Sequence, residues 1–185
     1  MWSPERWHEA WEFASIAHHG QRLPGSELPY AGHVVAVAME VARAIALRSG
    51  GDAPVEQPDL ALACALLHDV VEDTPVTVEQ LEQRFGPAVA QGVAALSKDP
   101  RAGDKAAQMR DSLARIQACP REVWMVKLAD RIHNLREPPH YWKHAKKLAY
   151  RDEAELIRAT LGEACPILAT RLAERIAAYA VGDAT

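Results

Sequence analysis

Cysteine is scarce in this chain: Cys64, Cys119 and Cys165 are its only three in 185 residues. An odd number at wide spacing excludes a disulfide framework, and without a C-x-x-C pair there is no thiolate metal or redox motif. The three read as reduced core residues of a cytoplasmic protein. A run of about 20 apolar residues, the length a membrane helix needs, is also missing. So is a secretory signal, because Met1-Trp2-Ser3-Pro4-Glu5 has no basic start and no apolar stretch behind it. Basic excess is lacking too: the formal net charge is −4, whereas broad nucleic-acid binding needs a positive footprint. An anionic small molecule would therefore need locally placed cations or a metal. With 49% hydrophobic and 25% charged residues the composition is ordinary for a globular protein. The length suits one domain with a core that needs no disulfides.

Strand-like alternation, repeats and low-complexity tracts are absent, and apolar positions recur at helical spacing almost throughout. Ser3-Pro4-Glu5 supplies an N-cap, a proline for the first turn and an early acid, which predicts a helix to about His19. Gly20 and Pro24-Gly25-Ser26 make a loop, and a second helix runs from about Ala31 to Arg48 until Gly50-Gly51. Asp59 is read as the cap of a third helix, which carries "LLHDVVEDT" (66–74) and stops at Thr74-Pro75. Thr77-Val-Glu-Gln is a capping-box pattern for a short helix to about Phe85-Gly86, and Pro87 begins another to about Ser97. After a polar loop, Lys98 to Asp104, helices are predicted over about 104–118, 121–135, 142–161 and 164–180. The fold class is all-α, a compact helical bundle.

One stretch does not suit a plain bundle. The apolar run Ala61 to Leu67 meets His68, Asp69, Glu72 and Asp73. On one continuous helix His68 would align with Glu72 and Asp69 with Asp73, giving a polar patch at the C-terminal end. Carboxylates there oppose the helix dipole and repel each other, so something positive must offset them. A divalent metal is the simplest candidate. His33 opens an apolar helix (Val34, Val35, Val37, Met39), and Asp130 ends the apolar run from Val123 to Ala129. A carboxylate in that position needs a partner as well.

The pattern H…HD…D resembles the signature of the HD metal-dependent phosphohydrolases. The words "AHHGQR…LPYAGH" (17–22, 28–33), "ALLHDVVEDTPVT" (65–77), "FGPAVAQGVAALSK" (85–98) and "VKLADRIHNLR" (126–136) are similar to the hydrolase domain of the RelA/SpoT alarmone enzymes and their stand-alone small relatives. The likeness runs in order over about residues 8–160 and leaves the C-terminal helix, about 163–181, outside it. It implies an all-helical HD domain that binds Mn²⁺ and removes the 3′-pyrophosphate of guanosine tetra- or pentaphosphate, leaving GDP or GTP. Zinc and iron also suit such ligands.

Carried over position by position, the resemblance implies metal ligands at His33, His68, Asp69 and Asp130 and a catalytic acidic pair at Glu72 and Asp73. It implies nucleotide contacts at Asn134, which follows Asp130 on the same helical face, and at Arg22, Lys98 and Tyr150. The partner is a small nucleotide, with no nucleic acid and no membrane. The other histidines, His8, His18, His19, His133, His140 and His144, read as structural, with His18 half-buried. The five tryptophans read as core or subunit contacts. Three departures stand near the expected nucleotide pocket. Val34 follows His33 in place of proline, Leu23-Pro24 stands where a basic residue is common, and Leu-Arg-Glu-Pro-Pro-His follows Asn134. They bear on guanine specificity. The alternatives are the same chemistry on another nucleotide, such as the 2′-phosphate of NADPH, or a non-catalytic nucleotide sensor.

Overall fold

A computed structural model describes residues 1–51, 53–136, 138 and 141–180. Helices are α1 (Pro4–Ala17), α2 (Ala31–Arg48), α3 (Pro58–Leu67), α4 (Val70–Asp73), α5 (Val78–Phe85), α6 (Pro87–Leu96), α7 (Lys105–Gln117), α8 (Arg121–Asn134), α9 (His144–Leu161) and α10 (Pro166–Ala178). Short 3₁₀ turns cover Pro100–Ala102 and Gly162–Ala164. No strand occurs among the described residues, where an isolated antiparallel bridge joins Arg22 to Pro29. The all-α expectation holds. None of the described helices is long and apolar enough to cross a membrane.

Local chemistry accounts for several helix ends. The Ser3 side chain accepts the Arg6 N–H, and Thr77 and Gln80 close a reciprocal capping box. Gly86 takes φ +83° between α5 and α6, a conformation that favours glycine. The reading of Asp59 as a cap is corrected. Gln57 holds that position without a side-chain bond, and Pro58 starts the helix. The Asp59 carboxylate instead accepts the Ser3 backbone N–H at 2.7 Å, tying α1 to α3.

Helices α3 and α8 form the centre. Leu60, Ala61, Leu62, Cys64, Ala65, Leu66 and Leu67 of α3 are all buried, as befits a helix that is apolar on every side. It packs against α1, α2, α6 and α8. A Cβ on Gly92 of α6 would lie 2.7 Å from Cys64 Sγ and 3.0 Å from Val123 Cγ2, so glycine there lets α6 approach both central helices. Fully burying each leucine of this core contributes roughly 1.5–3 kcal/mol. That packing holds three helix ends, the start of α2, the end of α3 and the end of α8, against one another.

Candidate metal centre

His33 lies in the first turn of α2, His68 at the C-cap of α3, Asp69 immediately after it, and Asp130 in the last turns of α8. Nε2 of His33 is 3.2 Å from Nε2 of His68. Asp69 Oδ2 is 2.9 Å from His68 Nε2 and 3.4 Å from His33 Nε2. Asp130 Oδ1 is 3.7 Å from His68 Nε2 and 3.5 Å from His33 Nε2. One ligand atom each from His33, His68 and Asp130 lies within 4.8 Å of the others, and all three residues are buried. Asp69 adds a fourth donor on the more open side.

The donor set fits a divalent cation. Two imidazoles and two carboxylates converge where desolvation is severe, and Lys127, with Nζ 3.3 Å from Asp130 Oδ2, is the ammonium paired with them. The His68 Nδ1–H donates to the Ala65 carbonyl at 2.8 Å, which leaves the Nε2 lone pair directed into the cluster. Tyr30 donates its hydroxyl to Asp69 Oδ2 at 2.6 Å and reaches Asp73 Oδ2 at 3.2 Å, bracing both acids from the start of α2.

Burial opposes charge on His68, but Asp69 and Asp130 hold its pKa well above the usual histidine value. Burial likewise opposes ionisation of Asp130, which Lys127, His33 and His68 hold well below the usual carboxylate range. Metal must therefore displace a proton from imidazole. Apparent affinity is expected to climb by roughly tenfold per pH unit for each proton displaced, from pH ~6.5 upward until the raised pKa is passed. Calorimetric titrations with Mn²⁺ at three pH values and in buffers of different ionisation heat check this. A pH-independent affinity with no proton release contradicts it.

The single continuous helix through residues 66–74 is corrected. Asp69, at φ −102° and ψ −4°, separates α3 from the four-residue turn α4. The break sends the two following acids to different partners. Glu72 accepts the Lys98 backbone N–H at 3.0 Å and its ammonium at 3.3 Å. Asp73 sits exposed beside Tyr30, its pKa raised by partial desolvation and by the charges of Asp69 and Glu72.

A cleft of about 880 Å³ opens from this cluster, and His33, Asn134 and Tyr150 all line it. Asn134 donates to Asp130 Oδ1. Tyr150 carries the Arg131 guanidinium 4.1 Å over its ring. Arg22 is not among the cleft-lining residues: it is exposed and paired with Glu27. Lys98 is held by Glu72 rather than by the cleft wall.

Several residues come closer to the centre than their sequence suggests. His133 Nδ1 is 2.8 Å from His33 Nδ1. Burial and the charges of His33 and Arg136 push its pKa down to about 4. His18 is buried rather than half-buried. Its Nδ1 meets Gln21 at 2.8 Å, its ring centroid is 4.8 Å from that of Tyr30, and its Nε2 has no partner among the described residues. Trp142 lines the cleft under the Lys146 ammonium, 4.0 Å from its ring centroid, instead of filling the core. Arg136 and Arg175 complete the cationic lining. His140 lies outside the described residues.

A family model described as the HD domain matches residues 10–168. The chain belongs to the HD domain family. The guanosine-3′,5′-bis(diphosphate) 3′-pyrophosphohydrolase of Danio rerio is 36% identical over 130 residues, covering 70% of this chain and 67% of that one. The Haemophilus influenzae enzyme of the same name is 40% identical over 128 residues, covering 66% of this chain. This HD domain spans only 17–18% of the length of the first bacterial relatives it matches. A solved structure described as a metazoan ortholog of SpoT that hydrolyses ppGpp superposes with a TM-score of 0.79 at 26% identity, covering 98% of this chain and 99% of that one. The Listeria monocytogenes protein lmo0812 shares the fold at TM-score 0.58 and 22% identity, over 82% of this chain and 94% of that one. An HD domain implies a divalent metal, and His33, His68 and Asp130 can hold one.

Proposed function

We propose that this HD domain is a Mn²⁺-dependent pyrophosphohydrolase of guanosine tetra- and pentaphosphate. Water adds at the 3′-phosphoester, and GDP or GTP and pyrophosphate leave. The observation that carries this reading is the continuity of the buried acid–imidazole cluster with a cleft whose wall combines Trp142 and Tyr150 with Arg136, Lys146 and Arg175. A nucleotide with several phosphates needs both an aromatic or apolar surface and cations, in a protein whose net charge is −4. The names of the relatives point the same way.

His33, His68, Asp69 and Asp130 would hold the ion. When bound, it supplies Lewis acidity towards phosphorus and acidifies a water. The Asp73 carboxylate orients that water and takes its proton, while Glu72 holds Lys98, which would turn from that pair to meet a phosphate. Asn134 is positioned by Asp130 to donate its remaining N–H to the nucleotide. Tyr150 offers an aromatic edge, and Arg22, on the loop beside Leu23, would have to leave Glu27 to meet the nucleotide. Free cysteines, Cys64 and Cys165 buried and Cys119 partly so, accord with a cytoplasmic setting.

A second substrate is favoured by one local feature. Leu23, Pro24 and Leu28 add apolar side chains to the lining of the cleft. Such a lining suits the rings of a dinucleotide such as NADPH, whose 2′-phosphate would then be the group removed. The test is product identification with Mn²⁺-loaded protein and a nucleotide panel. Pyrophosphate from ppGpp is the expected result. Inorganic phosphate from NADPH alone moves the assignment to the second substrate, and tight nucleotide binding without turnover under several metals makes the protein a sensor.

A further inference from the structure

His33 presents its two nitrogens to different neighbours. Nε2 faces the acid cluster, 3.2 Å from His68 Nε2 and 3.4 Å from Asp69 Oδ2. Nδ1 faces away, 2.8 Å from Nδ1 of His133 in the last turn of α8. A neutral imidazole carries one proton, so a hydrogen bond between two Nδ1 atoms has one donor and one acceptor. If His133 donates, His33 carries its proton on Nε2 and turns an N–H into the cluster, where it opposes a cation. If His33 donates, its Nε2 lone pair is free for one.

His68 is already set in the second sense. Its Nδ1 meets the Ala65 carbonyl oxygen, which can only accept. For His33 that part falls to a side chain instead of a backbone carbonyl. We propose that His133 is a positioning residue of the metal centre: it accepts the Nδ1–H of His33 and so holds that ring in the tautomer whose Nε2 can bind a divalent cation. The inference rests on the metal-binding part of the function proposed above and is independent of which nucleotide is cleaved.

The packing agrees with this role. The two rings lie with centroids 4.8 Å apart and planes inclined by 55°, so they meet edge to edge at their nitrogens rather than face to face. His133 follows Asp130 by one helical turn, on the same side of α8. The helix that offers one ligand thus also offers the group that orients another. An acceptor on the outer nitrogen also makes the ligating nitrogen more basic, which strengthens its bond to a cation. With Nδ1 of His133 accepting, the proton of its own ring sits on Nε2.

The metal-free protein is titrated with Mn²⁺ and with Zn²⁺ by calorimetry. His133→Leu fills similar space but accepts nothing, and it should weaken binding by about 10- to 100-fold. His133→Asn places an amide oxygen near the Nδ1 position and should stay close to wild type. Nitrogen-resolved imidazole NMR of the diamagnetic zinc form should show a hydrogen on His33 Nδ1 and none on His133 Nδ1. Equal affinity in wild type and His133→Leu overturns the proposal, as does an equal loss in the Asn and Leu variants, which marks a packing role only. A hydrogen on His133 Nδ1 in the zinc-loaded wild type overturns it without any variant needing to fold. A wild type that binds neither ion sinks the metal reading itself, a separate result.

Discussion

Asp73→Asn in the Mn²⁺-loaded protein should lower kcat by about 10²- to 10⁴-fold, the span a positioned proton acceptor typically supplies. Metal content and melting temperature should stay near wild type, because the change is isosteric and Asp73 is not among the four proposed ligands. The structure separates Asp73 from Glu72, which otherwise look equivalent. Glu72 is committed to Lys98 through two contacts, whereas the Asp73 carboxylate meets, among the described residues, the hydroxyl of Tyr30 that it shares with Asp69. Burial first, and then the charges of Asp69 and Glu72, raise the pKa of Asp73. A raised carboxyl pKa makes its anion a stronger base at neutral pH. Wild-type turnover should therefore fall as pH drops through that raised value, since only the ionised form accepts a proton. The Asn variant should lose this acid limb along with its rate. Steady-state kinetics on both proteins with matched metal content decide the matter, and a near-normal kcat removes Asp73 from the mechanism.

The pH behaviour of metal binding, the fate of His133 and the base assignment all trace to a feature that was only half legible in the sequence. The helices that carry the centre are well marked. Pro29 and Gly50-Gly51 bracket α2, and its expected bounds, Ala31 to Arg48, are the observed ones. The run from Val123 to Ala129 announces a buried helix ending in a carboxylate, and α8 delivers Asp130 there. What could not be read was the interruption after Leu67. No glycine or proline marks it, and Val70-Val71-Glu72-Asp73 continues the helical pattern without a seam. The break arises because Asp69 turns towards His68, His33 and Tyr30, contacts made across α2 and α3. Tertiary demand on one side chain thus overrides a local preference that is weak over so few residues.

His133 escaped notice for a related reason. Its spacing from Asp130 was visible, but its partner is another histidine a hundred positions away, and no rule of local spacing reports that. His18 is the same case: the loop after α1 folds back so that Gln21 donates to the Asp73 carbonyl at 2.7 Å, and this buries the imidazole behind Tyr30. The net charge of −4 left an anionic ligand dependent on locally placed cations, and Arg136, Lys146 and Arg175 all line the same cleft. Local field, not the sum of charges, governs what such a cleft attracts.

Asp130→Ala should have the largest effect on stability, because the carboxylate proposed as a metal ligand is also one member of a buried ion pair. Its side chain is 10% exposed and that of Lys127 is 9% exposed, with Nζ 3.3 Å from Oδ2. Removing one member of a buried pair leaves the other charged and unpaired, which costs about 3–5 kcal/mol. For a chain of this size that lowers Tm by roughly 6–20 °C. The loss should be partly reversed in the double variant Asp130→Ala/Lys127→Met, which removes the stranded ammonium as well. Metal linkage separates the two roles. Excess Mn²⁺ should raise the wild-type Tm, since an ion that binds only the folded state stabilises it by mass action. It should do little for Asp130→Ala, and no more for the double variant, because restoring charge balance in the core does not restore a ligand. Calorimetric melts of the three proteins, each with and without Mn²⁺, provide the comparison. A single variant that melts with the wild type would remove Asp130 from the buried pair, and a double variant that regains the metal-induced shift would remove it from the ion.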